Sequence, residues 1–183
     1  MKTNLIIVDD FYENPDAVRE YALKQNFDVD GNFPGKRTKP WLPPDLKQSI
    51  QFIVQNAGGA VTSWREDAYT GSFQYCLAKD RTWIHADPNN TWAGVCYLTP
   101  NAPLSGGTAL YRHNPTGKDI HYPGDEWPDG QDYTQWTRTD YMVNKYNRLV
   151  LYRGMMYHAS VDYFGNSIEN GRLFQTFFFD TEF

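Results

Sequence analysis

From Ala60 onward the chain becomes a succession of short runs rich in Val, Tyr, Trp, Phe and Thr, parted by clusters of Gly, Pro, Asn and Asp. β-branched and aromatic side chains suit a pleated, half-buried surface, and the punctuating residues are those that tight turns demand. Strands are expected near 60–66, 70–78, 82–87, 92–98, 107–112, 147–152, 155–161 and 171–179. So many short strands with no helices between them leave a sandwich or a barrel as the solution.

The first third reads differently. Leu5-Ile6-Ile7-Val8 predicts a buried strand, and Asn14-Pro15 predicts an N-cap followed by proline at the first helical position, with Ala17, Val18, Tyr21 and Ala22 as the apolar stripe. A second helix is expected after Pro43-Pro44-Asp45, where Leu46, Ile50, Ile53, Val54 and Ala57 keep helical spacing until Gly58-Gly59 stops it. Between them Asn32 to Arg37 has turn chemistry and a basic tip. At 183 residues the whole is one domain, with a strand and helices over 1–59 and a β core over 60–183. Ile120 to Trp136, dense in Gly, Pro, Asp and rings and without a period, is expected to be a lid.

Composition removes several functions. With 17 Lys and Arg against 22 Asp and Glu, the net charge of −5 is the wrong sign for collecting phosphates, so nucleic acid is not an expected partner. No apolar run approaches the length of a membrane span or a signal-peptide core, which reads as a soluble, cytoplasmic protein. Cys76 and Cys96 lack metal-ligand or disulfide spacing and are expected as buried small side chains.

The chemistry gathers around Trp83-Ile84-His85-Ala86-Asp87. Residues two apart share one face of a strand, so His85 and Asp87 supply two of the three ligands of a facial triad, which binds ferrous iron and leaves positions open. His158 lies in an apolar, strand-like stretch where a titratable ring needs a partner or a metal. Arg172 follows 14 residues later, and a turn centred near Gly165 would set it opposite His158 in an antiparallel pair. A buried guanidinium there could clamp a carboxylate with a bidentate fork. Each has a plainer reading taken alone: Asp87 as a turn cap, His158 as a partnered core histidine, Arg172 as half of an ion pair. His113 and His121 have loop-like settings and are expected at the surface. Lys36, Arg37 and Lys39 read as a solvated basic turn or as a greeting for an anionic substrate group.

The order His85, Asp87, His158, Arg172 on short strands after two helices resembles the iron(II)- and 2-oxoglutarate-dependent dioxygenases over roughly Asn4 to Phe179. More narrowly it is similar to the small bacterial and phage-type members related to the prolyl hydroxylases, in which the Leu5–Val8 strand, the His-x-Asp, the Gly106-Gly107-Thr108 turn and the Gly171-Arg172 strand recur in this order. The resemblance implies a mainly β fold with N-terminal helices, a double-stranded β-helix or cupin-like jelly roll. It implies Fe(II) on His85, Asp87 and His158, and 2-oxoglutarate held by Arg172 with Tyr75 as a looser second contact. It also implies hydroxylation of an amino-acid, peptidyl or other small-molecule C–H bond with O2, releasing succinate and CO2. Trp83, Trp92 and Tyr97 would supply apolar walls, and the Phe33–Arg37 turn and the lid would close over the substrate. Two other classes compete: a non-catalytic cupin-like binding module, which has no need of an arginine clamp, and a zinc hydrolase, for which no HExxH or poised general base is present.

Overall fold

A computed structural model describes residues 3–66 and 69–182. Among them are β1 (Leu5–Val8), α1 (Pro15–Leu23), β2 (Lys36–Pro40), α2 (Pro44–Gly58), β3 (Ala60–Ser63), β4 (Ser72–Cys76), β5 (Trp92–Tyr97), β6 (Thr108–His113), β7 (Trp136–Met142), β8 (Leu149–Arg153), β9 (His158–Ser160) and β10 (Arg172–Glu182). The larger sheet runs β1-β8-β5-β10-β4-β2, with β3 on the far end of β10, and the smaller runs β7-β6-β9. All of these pairings are antiparallel.

Period-two alternation in the long strand β10 explains the layering. Leu173, Phe177 and Phe179 join a core with Trp92, Leu149 and Leu151 on the helix side, where Leu46, Ile50 and Val54 of α2 and Ala22 of α1 pack. Arg172, Phe174, Thr176 and Phe178 face the other way, and Phe174 packs with Val95, Tyr97 and Val150 against Leu110 and Met142 of the smaller sheet. Each large apolar side chain buried here contributes about 1.5–3 kcal/mol relative to exposure. The outcome is the double-stranded β-helix with helices on one face.

Both helices start as expected. The Asn14 side chain accepts from Ala17 N at 3.1 Å, and Pro44 opens α2. Five expectations need correction. Leu5–Val8 is an edge strand, with Ile7 45% exposed, because it pairs only with β8. Lys36–Pro40, read as a turn, is the edge strand β2, where lysines suit an edge exposed to solvent. Trp136–Met142 is a strand that escapes the pattern because four consecutive residues, Thr137 to Asp140, are exposed and no alternation shows. The 82–87 segment is extended but joins its neighbour by a single bridge, His85 to His158. Lastly, β9 and β10 are not partners: β9 pairs with β6 and Arg172 stands opposite Cys76 of β4, so residues 161–171 carry the chain from one sheet to the other.

Candidate metal centre

The extended segment from Trp83 to Asp87 is pinned by backbone hydrogen bonds. Ile84 N donates to Gly130 O at 2.9 Å, and Asp87 N to Gly154 O at 2.6 Å. His85 N donates to His158 O at 3.0 Å while His158 N returns a bond to His85 O at 2.8 Å. Alternation then turns Ile84, Ala86 and Ala159 into an outer cluster with Tyr111 and Tyr157, and leaves His85, Asp87 and His158 on the inner face. Gly154 is required at its position: a Cβ there would meet Asn90 O at 2.3 Å and Asp87 O at 2.6 Å.

One ligand atom from each of His85, Asp87 and His158 lies within 4.8 Å of the others. The imidazole centroids are 4.4 Å apart, and His158 Nε2 is 3.3 Å from Asp87 Oδ2. Each Nδ1 faces a backbone carbonyl, Trp83 O at 3.0 Å for His85 and Met156 O at 2.9 Å for His158. A carbonyl can only accept, so both Nδ1 atoms carry a proton and each ring turns its Nε2 away from that carbonyl. His158 Nε2 faces Asp87 Oδ2, so a cation between them, either a proton or a metal ion, reconciles the pair. Burial and the neighbouring His158 push the His85 pKa down to about 4, so its ring is neutral near pH 7. Burial opposes ionisation of Asp87, yet the hydrogen bond from His158, with the charges of His158 and Arg37, outweighs it and holds the carboxyl below its usual range. Two imidazole nitrogens and a carboxylate oxygen converging in this way fit a divalent transition metal.

Arg172 is wholly buried. Its Nε donates to Gly106 O at 2.8 Å, and its Nη2 reaches Gly107 O and Thr108 Oγ1, both at 3.3 Å. Nη1 has no hydrogen-bond partner among the described residues, and no described carboxylate lies within ion-pair distance. The guanidinium carbon sits 4.3 Å from the Phe174 ring centre and 5.3 Å from that of Tyr97. The Gly106-Gly107 turn thus supplies the carbonyls that fix the fork. Its glycines are needed, since a Cβ on Gly107 would lie 2.0 Å from Met142 O.

A cavity of about 600 Å³ connects these parts, with Arg37, Trp83, His85, Asp87, Trp127 and His158 in its wall. Phe174 and Tyr163, which flank Arg172, also line it. Tyr75 is not brought here: it lies on the helix side of β4 with its ring 5.0 Å from Phe27, while Gln74 takes the cavity side. Trp92 is likewise in the helix-side core, and Tyr97 is buried between the sheets with its hydroxyl 2.8 Å from Thr108 Oγ1. Trp83 does line the cavity. His113 and His121, expected at the surface, are both buried. His113 bonds Thr116 Oγ1 at 3.0 Å, and His121 stacks on Trp127 with centroids 3.7 Å apart. Lys36 and Lys39 are exposed as expected, but Arg37 turns inward. Among the described residues no helix is long and apolar enough to cross a membrane.

A family model described as a family of unknown function, DUF6445, matches residues 1–131. No curated protein sequence matches the chain. Among solved structures it is similar to HygX from Streptomyces hygroscopicus with nickel and 2-oxoglutarate bound, at TM-score 0.65 and 10% identity over 100% of this chain and 84% of that one. It is also similar to the carbocyclase SnoK from nogalamycin biosynthesis, described as non-heme and alpha-ketoglutarate dependent, at TM-score 0.63 and 14% identity over 98% and 80% of the two chains. A prolyl hydroxylase from Trichoplax adhaerens, in complex with a hypoxia inducible factor peptide, follows at TM-score 0.57 and 14% identity over 97% and 84%.

Proposed function

The chain belongs to the DUF6445 family, and on that premise we propose that it is a non-haem Fe(II)- and 2-oxoglutarate-dependent oxygenase acting on a small-molecule, amino-acid or peptidyl substrate. The observation that carries the reading is the convergence of three metal-ligating side chains in one cavity, beside a buried guanidinium that has no carboxylate partner among the described residues and is flanked by the cavity-lining Phe174 and Tyr163. The His85, Asp87 and His158 cluster answers to a divalent metal, and Arg172 Nη1 answers to a carboxylate. A hydrolytic metal site has no use for the second feature.

In this reading His85, Asp87 and His158 hold the iron and Arg172 pairs with the distal carboxylate of 2-oxoglutarate. The bound pair supplies the oxidising power for a C–H bond, using O2 and releasing succinate and CO2. The protein's own work is binding, orientation and exclusion of water. The carbonyls of Trp83 and Met156 fix the histidine tautomers, and those of Gly106 and Gly107 fix the plane of the Arg172 fork. Trp127, Pro128 and Gly130 of the 120–136 segment wall the cavity and act as its lid. Solved structures of similar fold act on different chemistries, so hydroxylation is the default outcome of the reading rather than a property of the fold.

Anaerobic titration with Fe(II) and 2-oxoglutarate tests it by the weak visible charge-transfer band of the chelate. The band is expected in the wild type, lost in His85→Ala and weakened or lost in Arg172→Ala. An unchanged spectrum in folded wild-type protein overturns the reading in favour of a binding module.

A further inference from the structure

The cavity wall holds a second cation that the metal and 2-oxoglutarate do not employ. Arg37 is only 7% exposed although it comes from the lysine-flanked edge strand β2. Its Nε donates to Gln74 Oε1 at 2.9 Å and its Nη2 to the same atom, while Gln74 Nε2 donates to Pro34 O at 2.6 Å, which fixes the amide with its oxygen towards the arginine. The Phe33 ring covers one face of the guanidinium at 3.9 Å and Tyr69 lies 5.0 Å away. One edge of the fork is therefore taken by a neutral amide. Among the described residues Nη1 has no hydrogen-bond partner and no carboxylate lies within ion-pair distance.

Burial takes most of this guanidinium out of water and gives it only a neutral acceptor, a cost that an anion at its cavity-facing Nη1 edge would offset. Burial pulls its pKa down to about 10, which leaves it charged near pH 7. Asp87 is the acidic group that most offsets this effect, and it is committed elsewhere if the cluster holds a metal. On the oxygenase reading, a divalent cation and Asp87 leave one positive charge, Arg172 and Arg37 add two, and dianionic 2-oxoglutarate removes two. One positive charge remains, and Arg37 is the residue without a partner.

We infer that Arg37, set by Gln74 and Phe33, is the specificity-determining residue of the site and that the primary substrate carries a carboxylate, received edge-on by the free Nη1 side of its guanidinium. The inference rests on the oxygenase reading for the place of the substrate. A carboxylate fits this edge because parallel N–H bonds match its two oxygens, and the rings of Phe33 and Tyr69 suit an organic body behind it. The buried arginine would then hold one end of the substrate and leave the other facing the metal cluster.

The test uses the full chain with Fe(II) and 2-oxoglutarate under anaerobic conditions, and acetate, benzoate and hippurate as probes, each titrated by calorimetry against its primary amide. The wild type is expected to bind at least one carboxylate about tenfold or more tighter than its amide. That preference is expected to vanish in Arg37→Gln and also in Gln74→Glu, which keeps the guanidinium but gives it an internal counterion. Circular dichroism confirms the fold of each variant. 2-Oxoglutarate binding, read separately from the charge-transfer band, should be unchanged by Arg37→Gln and lost in Arg172→Gln. A wild type without carboxylate preference, or a preference that survives Arg37→Gln, overturns the inference. So does a loss of 2-oxoglutarate binding in Arg37→Gln equal to that in Arg172→Gln, which would make Arg37 a cosubstrate clamp. If the wild type forms no 2-oxoglutarate complex, the oxygenase reading fails, and the same carboxylate–amide comparison in the metal-free protein still judges Arg37.

Discussion

His85 and His158 are direct cross-strand partners: each donates its backbone N–H to the other's carbonyl, and their rings stand 4.4 Å apart on the cavity side. The pairing sets both rings on one face, where a ligand atom from each lies within 4.8 Å of the other and of one from Asp87. The expected consequence is thermodynamic. A divalent metal that binds the folded chain at about a hundred times its Kd adds about 2.7 kcal/mol, or roughly 5–10 °C in Tm for a domain of this size. Scanning calorimetry with Mn(II) and with chelator should show that difference in the wild type and its disappearance in His85→Ala and Asp87→Ala. An equal metal response in all three proteins would mean that the metal binds elsewhere.

Gly154 makes a second prediction, because it controls the placement of Asp87 from outside the metal cluster. Gly154→Ala puts a Cβ against two backbone oxygens, Asn90 O at 2.3 Å and Asp87 O at 2.6 Å. Neither can swing aside as a side-chain end would, so the 87–90 turn must shift. The expected loss is about 1–3 kcal/mol of stability, as for overpacking in a well-filled region, together with weaker metal binding. Chemical denaturation and metal titration measure the two separately. A variant that keeps wild-type metal affinity would show that this turn does not position the carboxylate.

Much of the fold is legible in the alternation of β10, where Leu173, Phe177 and Phe179 share one face and Arg172 and Phe174 the other. The same rule places Tyr75 on the opposite face of β4 from Gln74, and so away from a cavity that Gln74 lines. Pairing between distant segments is the part the sequence leaves open. Local turn chemistry points to a turn centred on Gly165, and Gly165 does adopt a left-handed φ of 76°. Asp162, at φ 42°, and the bond from Gly171 N to Ser167 O bend the connection further, and it crosses between sheets instead of closing a hairpin. Arg37 was visible only as part of a basic cluster. What distinguishes it from Lys36 and Lys39 is burial against Phe33 and Gln74, and that depends on the register of β2 along β4.

Acid should act on a surface cluster far from the cavity. Asp9 accepts from Arg148 Nε at 2.7 Å and Nη2 at 3.0 Å and from Lys145 Nζ at 2.8 Å, tying the end of β1 to the start of β8. The bond from Arg148, then that from Lys145, holds the Asp9 carboxyl far below its ordinary value of 3.8. A depressed folded pKa means stability that is present above about pH 4 and lost as pH falls below it. The side chain is 37% exposed, so screening limits the effect to about 0.5–1 kcal/mol. Urea denaturation of wild type and Asp9→Asn should differ by a constant amount from pH 5 to 7 and converge below pH 4. A gap that widens on acidification would contradict the assignment.

Arg172→Lys separates charge from geometry at the proposed cosubstrate clamp. The native guanidinium is oriented by the Gly106 carbonyl at Nε and by the Gly107 carbonyl and Thr108 hydroxyl at Nη2, which leaves Nη1 to meet an anion. An ammonium retains the charge but cannot satisfy these acceptors and present a planar fork at the same time. The carbonyls lose donors in a buried place, which costs about 1–3 kcal/mol, and the carboxylate loses its bidentate partner. In Fe(II)-loaded protein, 2-oxoglutarate should therefore bind Arg172→Lys about tenfold or more weakly while metal affinity in the absence of 2-oxoglutarate stays close to that of the wild type. Parallel titrations of metal alone and of 2-oxoglutarate decide the matter. If the lysine variant binds 2-oxoglutarate as the wild type does, only the charge at residue 172 matters, and the Gly106-Gly107 turn has no part in holding the cosubstrate.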